Sequence, residues 1–246
     1  MKQKIVILLL FLSFGIGSTA ALCQNTQYWD GIESFDGPTD QNLILAFQID
    51  FYFAKMVSPL PDSINMEISK LIDKTGDNHD VRDFILWRLL RKYQYPEYMS
   101  QDQVFVYLYD NYFSKLDIKD LTEEKRALIG EKAERLRRLA LFQPAPNLKW
   151  QGFDVFASLK SDYTILFFYD HDCEVCNQEM HDLDSVCANR PEISTVKVDV
   201  NDDAEGLDEI IAAYDIETTP LLYILDRDKR IIAKKIRARQ IDLVIK

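Results

Sequence analysis

"TILFFYDHDCEVCNQEMHDL", residues 164–183, joins an apolar run to two cysteines three positions apart. Thr164 to Tyr169 is short and apolar throughout, as a strand buried on both faces must be. Cys173 to about Asn189 reads as a helix. The segment Tyr169–Leu183 also holds two histidines and five acids. Three chemistries use such a cluster: a redox pair, a metal site or a structural disulfide.

Cys173 falls where a buried strand gives way to a helix. A thiol in the first turn faces unpaired backbone N–H groups and the positive end of the helix dipole, which favour its thiolate. Cys176 lies about 300° further round the axis, close enough for a tight disulfide. One thiolate can then attack a substrate disulfide and the other can resolve the mixed disulfide. The metal reading fares worse. His171, Cys173, Cys176 and His181 are four ligand types, but residues 176 and 181 are about 500° apart on one helix and point different ways. Zinc knuckles also prefer loops and a second cysteine pair. No metal and no cofactor are therefore expected, and His171 and His181 read as surface residues. Cys187 is about 16 Å from Cys176 along the helix, beyond bridging range, and reads as a buried free thiol.

Downstream, Ile193 to Val200 alternates, with Val196, Val198 and Val200 on one face. Ala204 to Tyr214 is helical. Leu221 to Leu225 is a buried strand, and Asp226–Lys229 turns into a hairpin partner over 230–236. A short last helix starts near Arg239. The order β-α-β-α-β-β-α defines an α/β layer fold. Thr218-Thr219-Pro220 stands at the start of the third strand, where an X-Pro bond is compatible with a cis geometry.

Upstream, Gln143-Pro144-Ala145-Pro146 ends a helical regime. Residues 39–141 form an all-helical domain with five helices. Thr39-Asp40 caps the first, and Pro59 and Pro61 stop it. Asp62-Ser63 opens the second, and Gly76 ends it. A third ends before Tyr95-Pro96. Ser100 with Gln103 makes a capping box for a fourth, and Thr122 caps the fifth. The tyrosines here read as core aromatics with their hydroxyls at the rim. Arg135, Arg137 and Arg138 read as a solvated face. Residues 24–38 read as a linker.

Met1–Lys4 is basic, Ile5–Ile16 is apolar, and small residues follow, so residues 1–23 read as a secretory signal peptide. Acylation of Cys23 requires a small residue before it, and Leu22 stands there. A membrane tether is expected only if that cysteine is lipidated. Export places the chain in the periplasm, where disulfides persist. The net charge of −11 argues against nucleic acid as a partner.

"TILFFYD", "CEVC" and "TTP" before "LLYILDRDKRIIAKKI" together resemble the thioredoxin-like superfamily over residues 144–246. "PAPNLKW" and "CEVCNQE" resemble its exported branch related to the thiol–disulfide reductases of cytochrome c maturation. The whole arrangement, with its helical domain of unknown role, resembles exported proteins of Bacteroidetes. The resemblance implies Cys173 as attacking thiol, Cys176 as resolving thiol and Glu179 in proton handling. It also implies a cis Pro220 beside the disulfide, with Thr219 offering backbone bonds to substrate. Partners would be protein or small-thiol disulfides and an upstream electron donor. The chain departs from the pattern at Asp172, where an aromatic is usual, at Val175, where proline is usual, and at Phe167, where a buried acid is common. Asp170, Asp172 and Glu174 crowd Cys173 with like charge, which opposes the thiolate. A less stabilised thiolate goes with a stable disulfide, so a reductant or isomerase-like partner is expected. The contrasting expectation is a redox-inactive binding module whose helical domain recognises a partner.

Overall fold

The computed structural model describes residues 28–34, 43–150 and 152–245. The proposed signal peptide, Cys23 and the Thr39-Asp40 cap lie outside these residues. The first part is helical: α1 (Leu43–Lys55), α2 (Pro61–Lys74), α3 (His79–Gln94), α4 (Asp102–Leu108) and α5 (Glu123–Arg138). Asn78 caps α3 by accepting from the Val81 amide at 3.1 Å, and Thr122 caps α5 by accepting from the Lys125 amide at 3.2 Å. Leu45, Ile49, Ile64, Ile68, Leu89, Phe105 and Leu136 lie in one buried cluster.

Three local expectations change. Pro61 is not a stop but the first residue of α2, a position where its missing N–H costs nothing. Ser100 is not the cap of α4, which starts at Asp102 with no side-chain cap. Gln103 instead reaches across to donate to the Leu136 carbonyl. Part of the expected linker is core: Trp29 and Ile32 are buried against the helices, and Trp29 sits edge-on to Tyr52. After α4 the chain makes one π-helical turn, Tyr109–Phe113, which carries Phe113 into the core.

The second part opens with the hairpin β1 (Lys149–Trp150) and β2 (Phe153–Asp154) and the short α6 (Val155–Ser158). Then follow β3 (Tyr163–Tyr169), α7 (Glu174–Cys187), β4 (Ile193–Asp199), α8 (Leu207–Ala213), β5 (Leu221–Leu225), β6 (Ile231–Lys234) and α9 (Ile241–Val244). The sheet order is β4-β3-β5-β6. β3 pairs parallel with β4 and antiparallel with β5, and β5 pairs antiparallel with β6. The two central strands are covered on both faces, which is why they are apolar throughout. Leu166, Phe168, Tyr223 and Leu225 pack toward α8, while Ile165, Phe167, Leu222 and Ile224 pack toward α7 and α9. At the β5–β6 turn Lys229 takes a positive φ, and the Asp226 carboxylate accepts from the Arg230 amide at 2.8 Å.

Buried charge joins the two parts. Lys234 in β6 pairs with Asp102 at the start of α4, both side chains about 1% exposed. Its ammonium also donates to the Leu139 carbonyl. Lys132 of α5 pairs with Asp215 and Glu217. Arg135 is not purely solvated: it reaches Asp215 at 3.2 Å.

Candidate functional site

The end of β3 and the start of α7 build the site. The Asp170 carbonyl accepts from the Cys173 amide at 3.1 Å, and the Asp170 carboxylate accepts from the Asp172 amide at 2.8 Å. These bonds fold residues 170–173 into a tight turn. Cys173 is the N-cap of α7, with extended φ and ψ, and its Sγ accepts from the Cys176 amide at 3.2 Å. A sulfur in that position takes one of the otherwise unpaired amides of the first turn and sits at the positive end of the helix dipole. Cys173 is partly exposed, whereas Cys176 is fully buried. Burial pushes the Cys176 thiol above its ordinary range, and the neighbouring Cys173 adds to the rise. A backbone hydrogen bond at Asp170 and the Thr219 side chain oppose it.

Sheet register brings Thr219 and Pro220 to the same place. Leu221 of β5 lies opposite Phe168 of β3, so the residues just before β5 meet the residues just after β3. The Thr219–Pro220 bond is cis. The site is therefore two cysteines at a helix mouth with a cis-prolyl loop beside them.

Glu179 has other partners. One carboxylate oxygen accepts from the Ala238 amide and the other stands 3.6 Å from Arg237. It ties the 3-10 turn Ala238–Gln240 to α7. His171 is exposed and its Nδ1 lies 2.7 Å from Asp199. That hydrogen bond, with the charges of Asp172 and Asp199, holds the imidazole above its ordinary value. Cys187 is half-buried rather than fully buried, because the last turn of α7 meets only one side of the core. Burial raises its thiol as well. Among the described residues, no group of three or more His, Cys, Asp or Glu is placed to hold a metal ion.

Lys132 pairs with Asp215 and Glu217, just before the prolyl loop, a link across 83 to 85 positions whose partners no local pattern announces. The available signal was a lysine on the Ile129–Ala133–Leu136 stripe of α5, where an unpaired charge would be costly.

A family model described as TraF, F plasmid transfer operon protein, matches residues 151–234. Among solved structures, a thioredoxin-like protein from Bacteroides caccae ATCC 43185 is 15% identical and covers 98% of this chain and 98% of its own, with a TM-score of 0.73. The C-terminal domain of an uncharacterized protein from Bacteroides fragilis NCTC 9343 is 15% identical, covers 44% of this chain and 99% of its own, and has a TM-score of 0.39. A domain of a possible thiol-disulfide isomerase from Cytophaga hutchinsonii ATCC 33406 is 32% identical, covers 42% of this chain and 89% of its own, and has a TM-score of 0.35. No curated protein matches the chain. The fold is thus a helical region followed by a thioredoxin-like α/β domain, and the likeness to the Bacteroides caccae protein runs through both parts.

Proposed function

We propose that the chain is an exported thiol–disulfide oxidoreductase that reduces protein or small-thiol disulfides through Cys173 and Cys176. The observation that carries the reading is the asymmetry of the pair. Cys173 is accessible and its sulfur accepts an amide hydrogen bond. Cys176 is buried and its thiol is raised by that burial. Thiol exchange needs one accessible thiolate and one held in reserve.

In the first step the Cys173 thiolate attacks one sulfur of the substrate disulfide. That S–S bond breaks, and the departing sulfur leaves as a thiolate that takes a proton from water. In the second step Cys176 gives its proton to solvent and attacks the Cys173 sulfur. The bond from Cys173 to the substrate breaks, and the second substrate sulfur leaves as a thiolate that also takes a proton from water. The substrate gains two electrons and two protons, and the cysteine pair becomes a disulfide. A donor dithiol outside this chain restores it. Thr219 and Pro220 would face an extended substrate segment at the site. Glu179 enters as a positioning residue, since both its oxygens have partners on residues 237–238.

The test is capture of the intermediate. Cys176→Ser should accumulate a mixed disulfide at Cys173 when given an oxidised protein substrate, identified by peptide mass. The Cys173→Ser, Cys176→Ser double variant should accumulate none. Equal capture by both would count against the proposed roles and favour a binding module.

A further inference from the structure

A cleft adjoins the cis-prolyl loop, and one of its walls comes from the helical part. Tyr95 and Pro96, after the last turn of α3, face Pro220 and Ile236 across a space of about 250 Å³, with Lys235 and Arg237 on the rim. Tyr95 is 65% exposed. Its ring is held from below by the Lys132 ammonium, 5.5 Å from the ring centre. The same ammonium pairs with Asp215 and Glu217, immediately before the prolyl loop. One buried lysine therefore fixes both walls.

The charge of the cleft is uneven. Asp215 and Glu217 also line it, but Asp215 is shared between Lys132 and Arg135, and Glu217 is taken by Lys132. Arg237 has a long contact with Glu179, at 3.6 Å. Lys235 forms no ion pair with a carboxylate among the described residues; its backbone amide donates to Leu222. The rim is thus cationic on a chain of net charge −11. Asp170, Asp172 and Glu174 flank Cys173 in sequence and would repel an acidic segment, and Glu174 lines a neighbouring cleft with Arg237 and Arg239. An acidic flank on a substrate that passes the prolyl loop meets the cations Lys235 and Arg237.

Resting on the reading of Cys173 and Cys176 as a redox pair, we infer that the helical part selects the substrate. The Tyr95–Pro96 wall and the Lys235–Arg237 rim accept a disulfide-bearing polypeptide segment with an apolar and then an acidic side chain beside its half-cystine. A segment that passes Thr219–Pro220 extends about 3.3 Å per residue, so its next few side chains fall over the cleft. Tyr95 supplies apolar contact with little rotamer entropy to lose, and Lys132 is its positioning residue. Exposed cations add modestly to affinity but discriminate between flanks of opposite sign.

The experiment uses the full chain and two fluorogenic peptide disulfides that differ only in an Asp or a Lys two residues from the half-cystine. Hydroxyethyl disulfide serves as the small substrate without flanks. The unaltered chain should favour the Asp peptide by about fivefold in kcat/KM. K235E/R237E should bring that ratio to about one or below, a ratio internal to each variant and so insensitive to how much of it folds. Tyr95→Ala should raise KM for both peptides without changing their ratio. Turnover of hydroxyethyl disulfide with a ratio of one in the unaltered chain would overturn this inference and leave the redox reading standing. Absence of turnover on hydroxyethyl disulfide and on both peptides would overturn the redox reading and this inference with it.

Discussion

Asp102, at the start of α4, and Lys234, at the end of β6, form an ion pair across 132 positions of sequence with both side chains about 1% exposed. The pair locks the helical part to the edge of the sheet. Burial lowers the Lys234 proton affinity, and the Asp102 charge opposes that shift. Removing one partner leaves a bare charge in the interior. Asp102→Ala should cost about 3–5 kcal/mol in urea unfolding, while replacing both residues by apolar side chains of similar size should cost much less. Equal losses in the single and double variants would contradict this account.

Gly130 in α5 has no room for a methyl group. A Cβ there would lie 2.6 Å from the Tyr109 hydroxyl oxygen and 2.8 Å from its ring carbon Cζ. In an open helix Gly→Ala stabilises by about 1 kcal/mol. Here Gly130→Ala should instead destabilise by about 1–3 kcal/mol, and adding Tyr109→Leu should recover part of the loss. Thermal unfolding of the three variants checks both signs.

The three described cysteines should react in a fixed order. Cys173 is accessible, whereas burial raises the thiols of Cys176 and Cys187. Iodoacetamide at neutral pH should label Cys173 at least about tenfold faster than the other two, read as rates for individual peptides by mass spectrometry.

His171 offers a pH-dependent contribution. Its value is raised first by the hydrogen bond to Asp199, then by Asp172. A raised folded-state value means that the favourable interaction is fully present below the ordinary histidine value of 6.5 and is lost as pH climbs through the raised one. His171 should therefore titrate later than an isolated histidine in an NMR pH series. Asp199→Asn should move it back toward 6.5.

Much of the α/β part is legible because its signals are local. The unbroken run at 164–169 follows from two covered faces, and the alternation at 193–200 from one face being wetter. The cysteine spacing and the Thr-Thr-Pro run each lie within four residues. What sequence hides is pairing across distance. Lys234 sits in "IIAKK" beside Lys235 with nothing to mark one as buried and the other as exposed. Trp29 and Ile32 pack into the helical core from a turn-rich stretch too short to show a period. Glu179 matches a pattern that suggests proton transfer, yet its partners are the Ala238 amide and Arg237, and no local rule predicts that turn. At the helix starts 61 and 102, proline in a first position imitates a stop, and a glutamine that bonds elsewhere imitates a capping box.

In the proposed exchange the sulfur of Cys173 attacks and that of Cys176 completes the reaction. Reduction of insulin disulfides by the full chain, with dithiothreitol as donor, tests it most directly. The unaltered chain should turn over insulin above the dithiothreitol background, and Cys173→Ser should abolish that turnover. Turnover that survives Cys173→Ser, or none by the unaltered chain, would contradict the proposed exchange.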